Sequence, residues 1–378
     1  MKTGTFTKLA VARRGAGRFM AAALAVFGAI LASPSAGAGY SFETINDPAD
    51  QPFPPSPATG GVTFTNLMGI TSSGDTIAGF YGSGAAGDPN TGFVLTLPGK
   101  TFAPDNASFP ELPTFNVAQT QITAVNENGT TFTGYTYPTN LGVAFDTQFG
   151  FYEQGGVFTM VNNPKTPDCS VAGACDPGVI TENQLIGVNN ANIAVGFYND
   201  SHGNSHGYTY DIATKTFSAD INDPLAVSTV TAAINNSDEI AGFYTDSMGV
   251  IHGFIDNGGV FTTVDPPGAT ETELLGLNDN GLADGFADIG GVMDGILYNS
   301  LTKTFTVLNP PGSDGTTLNG INDAGDVVGF FVDANGNTDG LLGTPVPEPA
   351  TWVMMLTAFA GLGALGLGRS RKAARVAT

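Results

Sequence analysis

The sequence predicts an all-β fold: a six-bladed β-propeller of four-stranded repeats closed by its N-terminal strand, between a signal peptide and one C-terminal transmembrane helix. A glycine–aromatic pair recurs six times, and each copy lies among short apolar segments separated by Gly, Asn, Asp and Pro. The segment after the signal also matches a strand that the last repeat lacks. No part of the body shows a long helical period.

The repeat is the first of these observations. The glycine–aromatic pairs recur roughly every 43 to 62 residues, at Gly79-Phe80, Gly134-Tyr135, Gly196-Phe197, Gly242-Phe243, Gly285-Phe286 and Gly329-Phe330. Each unit contains four apolar segments of strand length, which is typical of a propeller blade. We place the units near residues 60–115, 116–180, 181–226, 227–270, 271–314 and 315–345.

The sixth unit ends after its third strand, at Gly340-Leu341-Leu342, and lacks a fourth. Residues 40–48, YSFETINDP, match that missing strand, because Phe42 stands six positions before Pro48 as Phe158 stands before Pro164. We therefore expect residues 40–48 to complete the last blade, so that one propeller domain spans residues 39–345. Closing the ring this way removes both free sheet edges.

The first 38 residues have the pattern of a secretory signal. A basic start precedes an uninterrupted apolar run from Met20 to Leu31. Ala36 and Ala38 form a small-x-small cleavage site, which predicts a mature chain beginning at Gly39. A retained N-terminal anchor is the alternative; the cleavage site argues against it.

The C-terminal residues 346–378 have three parts in a fixed order. Val346-Pro347-Glu348-Pro349 comes first, an apolar stretch at residues 352–368 follows, and a basic cluster begins at Arg369. The stretch has the minimum length of a transmembrane helix, and the basic cluster predicts that its end stays in the cytoplasm, with the body outside.

This tail resembles the PEP-CTERM sorting signal, in which a Pro-Glu-Pro motif precedes one span and a basic end. The resemblance implies recognition by an exosortase-type membrane protease, cleavage near Pro347-Glu348-Pro349, and release or attachment at the surface of a Gram-negative bacterium that makes exopolysaccharide. The expected course is export, a transient inner-membrane anchor, and then a cell-surface or extracellular location. An ordinary C-terminal anchor is the alternative.

The repeats also resemble extracellular HAF-type repeats, in which a His-small-aromatic triplet opens the third strand. Two units carry the triplet, at His206-Gly207-Tyr208 and His252-Gly253-Phe254. The other four units have Thr, Phe or Asp in place of the histidine, so the histidine is not required throughout. The resemblance implies a fold and no activity.

The exported body is strongly acidic. Between the two ends only Lys100, Lys165, Lys215 and Lys303 remain, whereas all 34 acidic residues lie there when Glu348 of the tail is counted, which gives a net charge of about −30. Such a surface repels nucleic acid and anionic lipid and suits cations. The 26 Phe and 52 Gly residues exclude a disordered acidic chain, because they supply a core and turns.

The two cysteines, Cys169 and Cys175, lie in one Gly/Pro-bounded loop. An exported protein meets an oxidising compartment, so we expect a local disulfide rather than a metal site, for which further soft ligands are missing nearby.

One segment offers oxygen ligands at alternate positions, as a hard cation requires: Asp333, Asn335, Asn337 and Asp339. A plain Gly-containing hairpin, in which Asp and Asn satisfy the backbone, is the alternative interpretation. The sequence predicts no cofactor apart from calcium, bound weakly here or diffusely over the acidic surface. His206 and His252 occupy equivalent places in different blades, which favours a structural role at a strand start over zinc.

No catalytic residue is predicted. The inner-strand segments ITAVN, LIGVN, TAAIN, LLGLN and LNGIN hold no ionisable side chain before the turn, which argues against an active site in the channel. We read the aromatic residue of each glycine–aromatic pair as packing between blades. Turn insertions fall on the face with the strand 2–3 hairpins and strand 4–1 connections, which favours binding there.

These observations favour a non-catalytic surface or extracellular-matrix protein that is sorted by an exosortase-type system and associated with exopolysaccharide. Two alternatives stay open. One is a secreted polysaccharide- or protein-degrading enzyme that uses Asp246, Asp288 and Asp333; the other is a surface protein-interaction module. The expected partners are the export machinery, the exosortase-type protease, an exopolysaccharide or a surface protein, and the membrane before processing; nucleic acid is not among them.

Overall fold

The computed structural model describes residues 39–50, 63–84, 88–109, 117–138, 147–171 and 173–346. These residues form six antiparallel sheets of four strands, and each sheet is one blade of a propeller. The predicted signal peptide at residues 1–38 and the predicted sorting tail from Pro347 lie outside the described residues. Among the described residues, none belongs to a helix that is long and apolar enough to cross a membrane.

In five blades the strands follow one another in chain order from the inner edge outwards, and in the sixth the outermost strand is the first strand of the chain. The outer strand of the sixth blade is β1 (Tyr40–Thr44). The six inner strands are β2 (Thr65–Ile70), β6 (Val117–Val125), β10 (Asn183–Val188), β14 (Ala226–Ile234), β18 (Ala269–Leu277) and β22 (Gly315–Ile321). The second strands are β3 (Thr76–Tyr81), β7 (Phe132–Pro138), β11 (Ile193–Asn199), β15 (Ile240–Asp246), β19 (Leu282–Ile289) and β23 (Val327–Val332). The third strands are β4 (Thr91–Thr96), β8 (Phe149–Gln154), β12 (Ser205–Asp211), β16 (Ile251–Asn257), β20 (Met293–Asn299) and β24 (Thr338–Pro345). The other outer strands are β5 (Thr101–Pro104), β9 (Val157–Val161), β13 (Thr216–Phe217), β17 (Val260–Val264) and β21 (Thr304–Val307).

The predicted closure of the ring is confirmed. Strand β1 pairs antiparallel with β24, so that Phe42 lies opposite Gly343 and Thr44 opposite Leu341. The N-terminal strand therefore supplies the fourth strand that the last repeat lacks, as the sequence predicts, and the sixth blade combines the two ends of the domain.

The recurring glycine has a steric cause. Each inner strand has a β-bulge, and its chain passes very close to the second strand. A Cβ added at Gly285 would lie 1.9 Å from the carbonyl oxygen of Glu273, and one at Gly329 would lie 2.0 Å from that of Thr317. No other residue fits this position, which explains why the glycine is repeated in all six blades.

Apolar side chains between neighbouring blades form the core. Leu67, Ile122, Leu185, Leu274 and Leu318, at matching places on the inner strands, are fully buried. A third-strand residue such as Phe93 or Phe151 packs edge-on against the phenylalanine of its outer strand. The phenylalanine that recurs late in each unit therefore anchors the outer edge of the blade.

Asparagine side chains link adjacent blades where the inner strands end. Asn189 Nδ2 donates to the carbonyl oxygen of Asn235, and Asn235 Nδ2 donates in turn to that of Asn278. Asn278 and Asn322 continue the series, which reaches Thr71 of the first blade. The Oδ1 atoms also accept backbone N–H groups of their own turns, so each asparagine both closes a turn and joins two blades.

The connections lie on two faces. The strand 2–3 hairpins and the 4–1 connections share one, which we call the loop face; there Asn46 Nδ2 donates 2.7 Å to Asp339 Oδ1. The 1–2 and 3–4 turns share the other, which we call the turn face; there the backbone N–H of Ser300 donates to the carbonyl oxygen of Gly281. The inner strands run from the loop face to the turn face.

Candidate functional site

The central channel has a wide part on the side of the loop face. This part, which we call the chamber, has a volume of about 320 Å³. The chamber residues are Asn66, Met68, Phe80, Gln121, Thr123, Tyr135, Gln184, Ile186, Phe197, Val230, Ala232, Phe243, Glu273, Leu275, Asn319 and Phe330. All six blades contribute to its wall.

The repeat explains the lining of the chamber. The residue just before each buried inner-strand side chain lies opposite the aromatic residue of a glycine–aromatic pair: Asn66 pairs with Phe80, and Gln121 with Tyr135. Strand side chains alternate between the two faces of a sheet, and residues directly opposite each other on paired strands project from the same face. The inner-strand residue and the aromatic ring opposite it therefore lie on the same side of each blade. The aromatic residues that we expected to serve only as packing therefore also line a cavity.

Glu273 is the chamber residue that the sequence analysis missed. Strand β18 extends back to Ala269, so it includes Glu273, which directly precedes the segment LLGLN. The expectation that the inner strands carry no ionisable side chain was therefore wrong, because the segment compared across units began one residue too late. Burial, with a smaller contribution from Glu271, raises the pKa of Glu273 to about 7.

Towards the turn face the channel is narrower, and this part has a volume of about 70 Å³. Past the asparagine series, each blade presents one more polar residue, and together they form what we call the turn-face ring: Ser72, Glu127, Asn190, Asn236, Asp279 and Asp323. Carboxylate oxygens of Glu127, Asp279 and Asp323 lie within 4.8 Å of one another. The signal for this ring was present in the sequence, one position after each repeated Asn or Thr.

The turn-face ring is held together by hydrogen bonds between blades. The backbone N–H of Asn236 donates 2.8 Å to Asp279 Oδ1, and that of Asp279 donates 3.0 Å to Asp323 Oδ1. Glu127 Oε2 accepts from the amides of Asn190 and Asn236. Burial, followed by the charges of Asp279 and Asp323, raises the pKa of Glu127. These carboxylates are oxygen ligands of the kind that a hard cation takes, although several of the oxygens already accept hydrogen bonds.

The segment proposed for calcium is a hairpin in which one carboxylate satisfies the turn. Asp333 Oδ1 accepts the backbone N–H groups of Asn335 and Asn337, and Oδ2 accepts both side-chain amides. Although burial opposes it, these bonds hold the pKa of Asp333 at about 2. Asp339 Oδ1 accepts from Asn46, and so it points away from this turn towards the 4–1 connection. Calcium here stays a prediction, in competition with the turn.

The other hairpin aspartates have the same role. Asp200 Oδ1 accepts the N–H groups of His202 and Asn204, and Asp246 Oδ1 accepts those of Met248 and Val250. Asp288 Oδ1 accepts the N–H of Gly291. The hairpin carboxylates singled out for hydrolysis thus cap their own turns.

The histidines lie beside these turns. His252 is the second residue of β16; it stacks on Tyr244, and its Nδ1 lies 2.7 Å from Asp265 Oδ2. His206 occupies the equivalent place on β12, stacks on Tyr198, and lies 3.3 Å from Asp200. Each histidine therefore joins a hairpin to a neighbouring strand or connection of the loop face.

Cys169 and Cys175 form a disulfide within the connection between the second and third blades. The backbone N–H of Cys169 donates 2.8 Å to Thr181 Oγ1, close to the start of β10. The bridge is thus a local feature of the loop face, and the described residues include no free cysteine.

Comparison with known proteins finds no matching family model and no matching curated protein. Among solved structures, the chain is similar to a putative TolB from Agrobacterium tumefaciens, with 9% identity, a TM-score of 0.48, and coverage of 82% of this chain and 99% of that one. TolB from Acinetobacter baumannii matches with 10% identity and a TM-score of 0.41 over 75% of this chain, which spans about half (54%) of that protein. A mutant of AofleA from Arthrobotrys oligospora matches with 10% identity and a TM-score of 0.43, over 78% of this chain and 83% of that one. No residue role is carried over from these proteins.

Proposed function

We propose that this chain is an exported, non-catalytic β-propeller of the bacterial surface or extracellular matrix. One observation carries the proposal. The backbone N–H of Val346 donates a 2.7 Å hydrogen bond to the carbonyl oxygen of Gly39. These two residues stand at the two predicted processing points, so the strand pairing that closes the ring is formed by residues that processing would keep.

Sorting and location belong to the same proposal. The basic start and small-x-small site lead to export, and Pro347-Glu348-Pro349 with the apolar and basic residues after it form a PEP-CTERM-type tail. Strand β24 ends at Pro345, so the tail follows directly after the strand that pairs with β1. Cleavage there by an exosortase-type protease would leave the sixth blade complete.

The acidic surface and the hairpin carboxylates favour binding over catalysis. Hydrolysis by carboxylates needs two groups that face each other across the scissile bond. The hairpin aspartates on the loop face cap their own turns, and Glu273 is the one carboxylate that lines the chamber among the described residues. The three carboxylates of the turn-face ring face one another, but they accept hydrogen bonds from neighbouring blades. Association with exopolysaccharide, bridged by Ca²⁺, suits a body with a net charge of about −30.

The experiment is mass spectrometry of the protein recovered from each cell fraction. We expect a chain that begins at Gly39, ends near Pro347-Glu348-Pro349, and is found at the surface or in the medium. The variant Glu348→Ala should accumulate uncleaved in the inner membrane, whereas Glu43→Ala, which changes a similar charge within the ring, should be processed normally. An intact C-terminus in the surface fraction would contradict the sorting step. Turnover of the host polysaccharide by the purified chain would favour the enzyme instead.

A further inference from the structure

The chamber has a lining that the proposed function does not use. Aromatic rings from five blades, Phe80, Tyr135, Phe197, Phe243 and Phe330, surround a space of about 320 Å³. Tyr135, Phe243 and Phe330 remain partly exposed, so solvent reaches the chamber. A concave, mainly apolar cavity with a few polar groups is the usual form of a small-molecule site.

One carboxylate, which is ionised above its pKa of about 7, provides the charge of this lining. Glu273 is partly exposed at the chamber wall, and among the described residues it has no hydrogen bond or ion pair through its carboxylate. The chamber residues include no Lys, Arg or His. A carboxylate held in a mostly apolar wall without a counter-charge lacks the partner that such groups normally have.

One buried acceptor of the wall lacks a hydrogen-bond partner. Asn66 is only 5% exposed, and its Oδ1 is buried without a hydrogen-bond partner. Two donors of the wall are already used: Tyr135 Oη donates 2.5 Å to Gln121 Oε1, and Asn319 Nδ2 donates 3.0 Å to the carbonyl oxygen of Leu67. A buried acceptor without a partner is rare and costly, so this acceptor would gain from any donor that reaches it.

We propose that the chamber binds a small organic ammonium ion, with the cationic group between Glu273 and the aromatic rings and its N–H groups directed to acceptors of the wall. Aromatic rings attract an ammonium group through their quadrupoles, and the neighbouring carboxylate supplies the counter-charge. The acidic body concentrates such cations around the entrance.

Other ligand classes fit this wall less well. An anion would meet the charge of Glu273 and of the acidic surface. A bare metal ion would find one carboxylate among rings that are not ligands for it. A neutral sugar needs donors and acceptors together, and two donors of the wall are already engaged. The site goes beyond the proposed function, since it does not depend on where the protein is delivered.

The test is calorimetric titration of the purified full chain with three probes of one size: n-butylammonium, butan-1-ol and butyrate. We expect millimolar binding of n-butylammonium, at least about tenfold weaker binding of butan-1-ol, and none of butyrate. Equal binding of the ammonium and the alcohol, or no binding of the ammonium, would overturn the proposal with the wild-type chain alone.

Two matched variants then locate the site. Glu273→Gln should weaken n-butylammonium binding about tenfold or more while butan-1-ol binding stays unchanged. Glu127→Gln removes the same charge at the opposite end of the channel and should leave n-butylammonium binding within about twofold. If both variants weaken binding equally, the cation is attracted by the acidic surface as a whole and the chamber site is wrong. Circular dichroism and the melting temperature report whether each variant is folded.

Discussion

The backbone N–H of Ile45 donates a 2.8 Å hydrogen bond to the carbonyl oxygen of Gly340. These two residues continue the register of β1 and β24, and Gly39 and Val346 are joined in the same way at the other end of the pairing. Hydrogen-bonded and non-hydrogen-bonded pairs alternate along an antiparallel ladder, so the Glu43–Leu342 pair is hydrogen-bonded and the Phe42–Gly343 pair is not. This alternation decides which residue of β1 is sensitive to substitution.

Proline at position 43 should open the ring. Glu43→Pro removes an N–H group from the ladder, and we expect it to lower the free energy of unfolding by about 2 to 4 kcal/mol and to promote aggregation through the exposed edge of β24. Glu43→Ala loses only the exposed ion pair with Lys100 and should cost less than about 1 kcal/mol. Urea unfolding and size-exclusion chromatography measure the two effects. Similar stability of the two variants would contradict closure by this pairing.

Asp284 should make the protein more stable in acid than in base. It is completely buried on β19 at a place where the other blades have Ala, Thr or Val, and a Cβ added at Gly276 would lie 2.1 Å from its Oδ1. Burial raises the pKa of Asp284 to about 8 from 3.8. A carboxyl group with a raised folded-state pKa does not reduce the free energy of unfolding at pH values below its unfolded-state pKa. Above that pKa the reduction grows with pH until the folded-state pKa is passed.

Asp284→Asn should therefore raise the free energy of unfolding by roughly 2 to 5 kcal/mol near pH 8, and by little near pH 4. Asp314→Asn makes the same charge change at an exposed position and should alter stability by less than about 0.5 kcal/mol at either pH. Urea unfolding at pH 4, 6 and 8 gives the comparison. A gain from Asp284→Asn that does not change with pH would exclude ionisation as its cause.

The three carboxylates of the turn-face ring should repel one another. Asp323→Asn keeps an Oδ1 acceptor for the N–H of Asp279 and removes one charge beside Glu127. Because the pKa of Glu127 is raised, its ionisation lowers the free energy of unfolding at pH values above the usual pKa of Glu and has no such effect below it. We expect Asp323→Asn to raise the free energy of unfolding by less than about 1 kcal/mol at pH 7. This gain should disappear near pH 4 and shrink in 1 M salt. Melting temperatures of the wild-type protein and the variant at these pH values, with and without salt, test the prediction. A gain in stability that does not depend on salt would be evidence against repulsion.

Substitutions at Asp333 distinguish between two interpretations of its hairpin, a plain turn and a calcium site. If the carboxylate serves the turn, Asp333→Ala should destabilise the protein by about 1 to 2 kcal/mol with or without Ca²⁺, because two backbone N–H groups lose their acceptor. Asp333→Asn retains an Oδ1 acceptor and should lose less than half of that. Chemical unfolding with 5 mM CaCl₂ and with a chelator distinguishes the cases, since a calcium site would make both losses depend on Ca²⁺ and similar in size.

The hairpin aspartates show why the sequence left calcium open. Alternating Asp and Asn residues are typical both of a cation loop and of a tight turn, and the pattern is the same in the two cases. The structure directs both oxygens of Asp333 to its own turn, and it directs Asp339 to Asn46 at the other end of the chain. Contacts between residues so far apart in sequence cannot be read from local spacing.

The sequence by itself determined the blade count, the four-stranded unit and the closure by residues 40–44. The first two depend on a local pattern that is repeated. The closure follows because the last repeat lacks its fourth strand and the segment around Phe42 carries the matching pattern. Only the tertiary structure decided what faces the channel. Glu273 lies outside the segment shared by the repeats, and Glu127, Asp279 and Asp323 come from three blades. A ring brings one residue per repeat to a common centre, so such sites depend on the differences between the units, whereas the fold depends on what the units share.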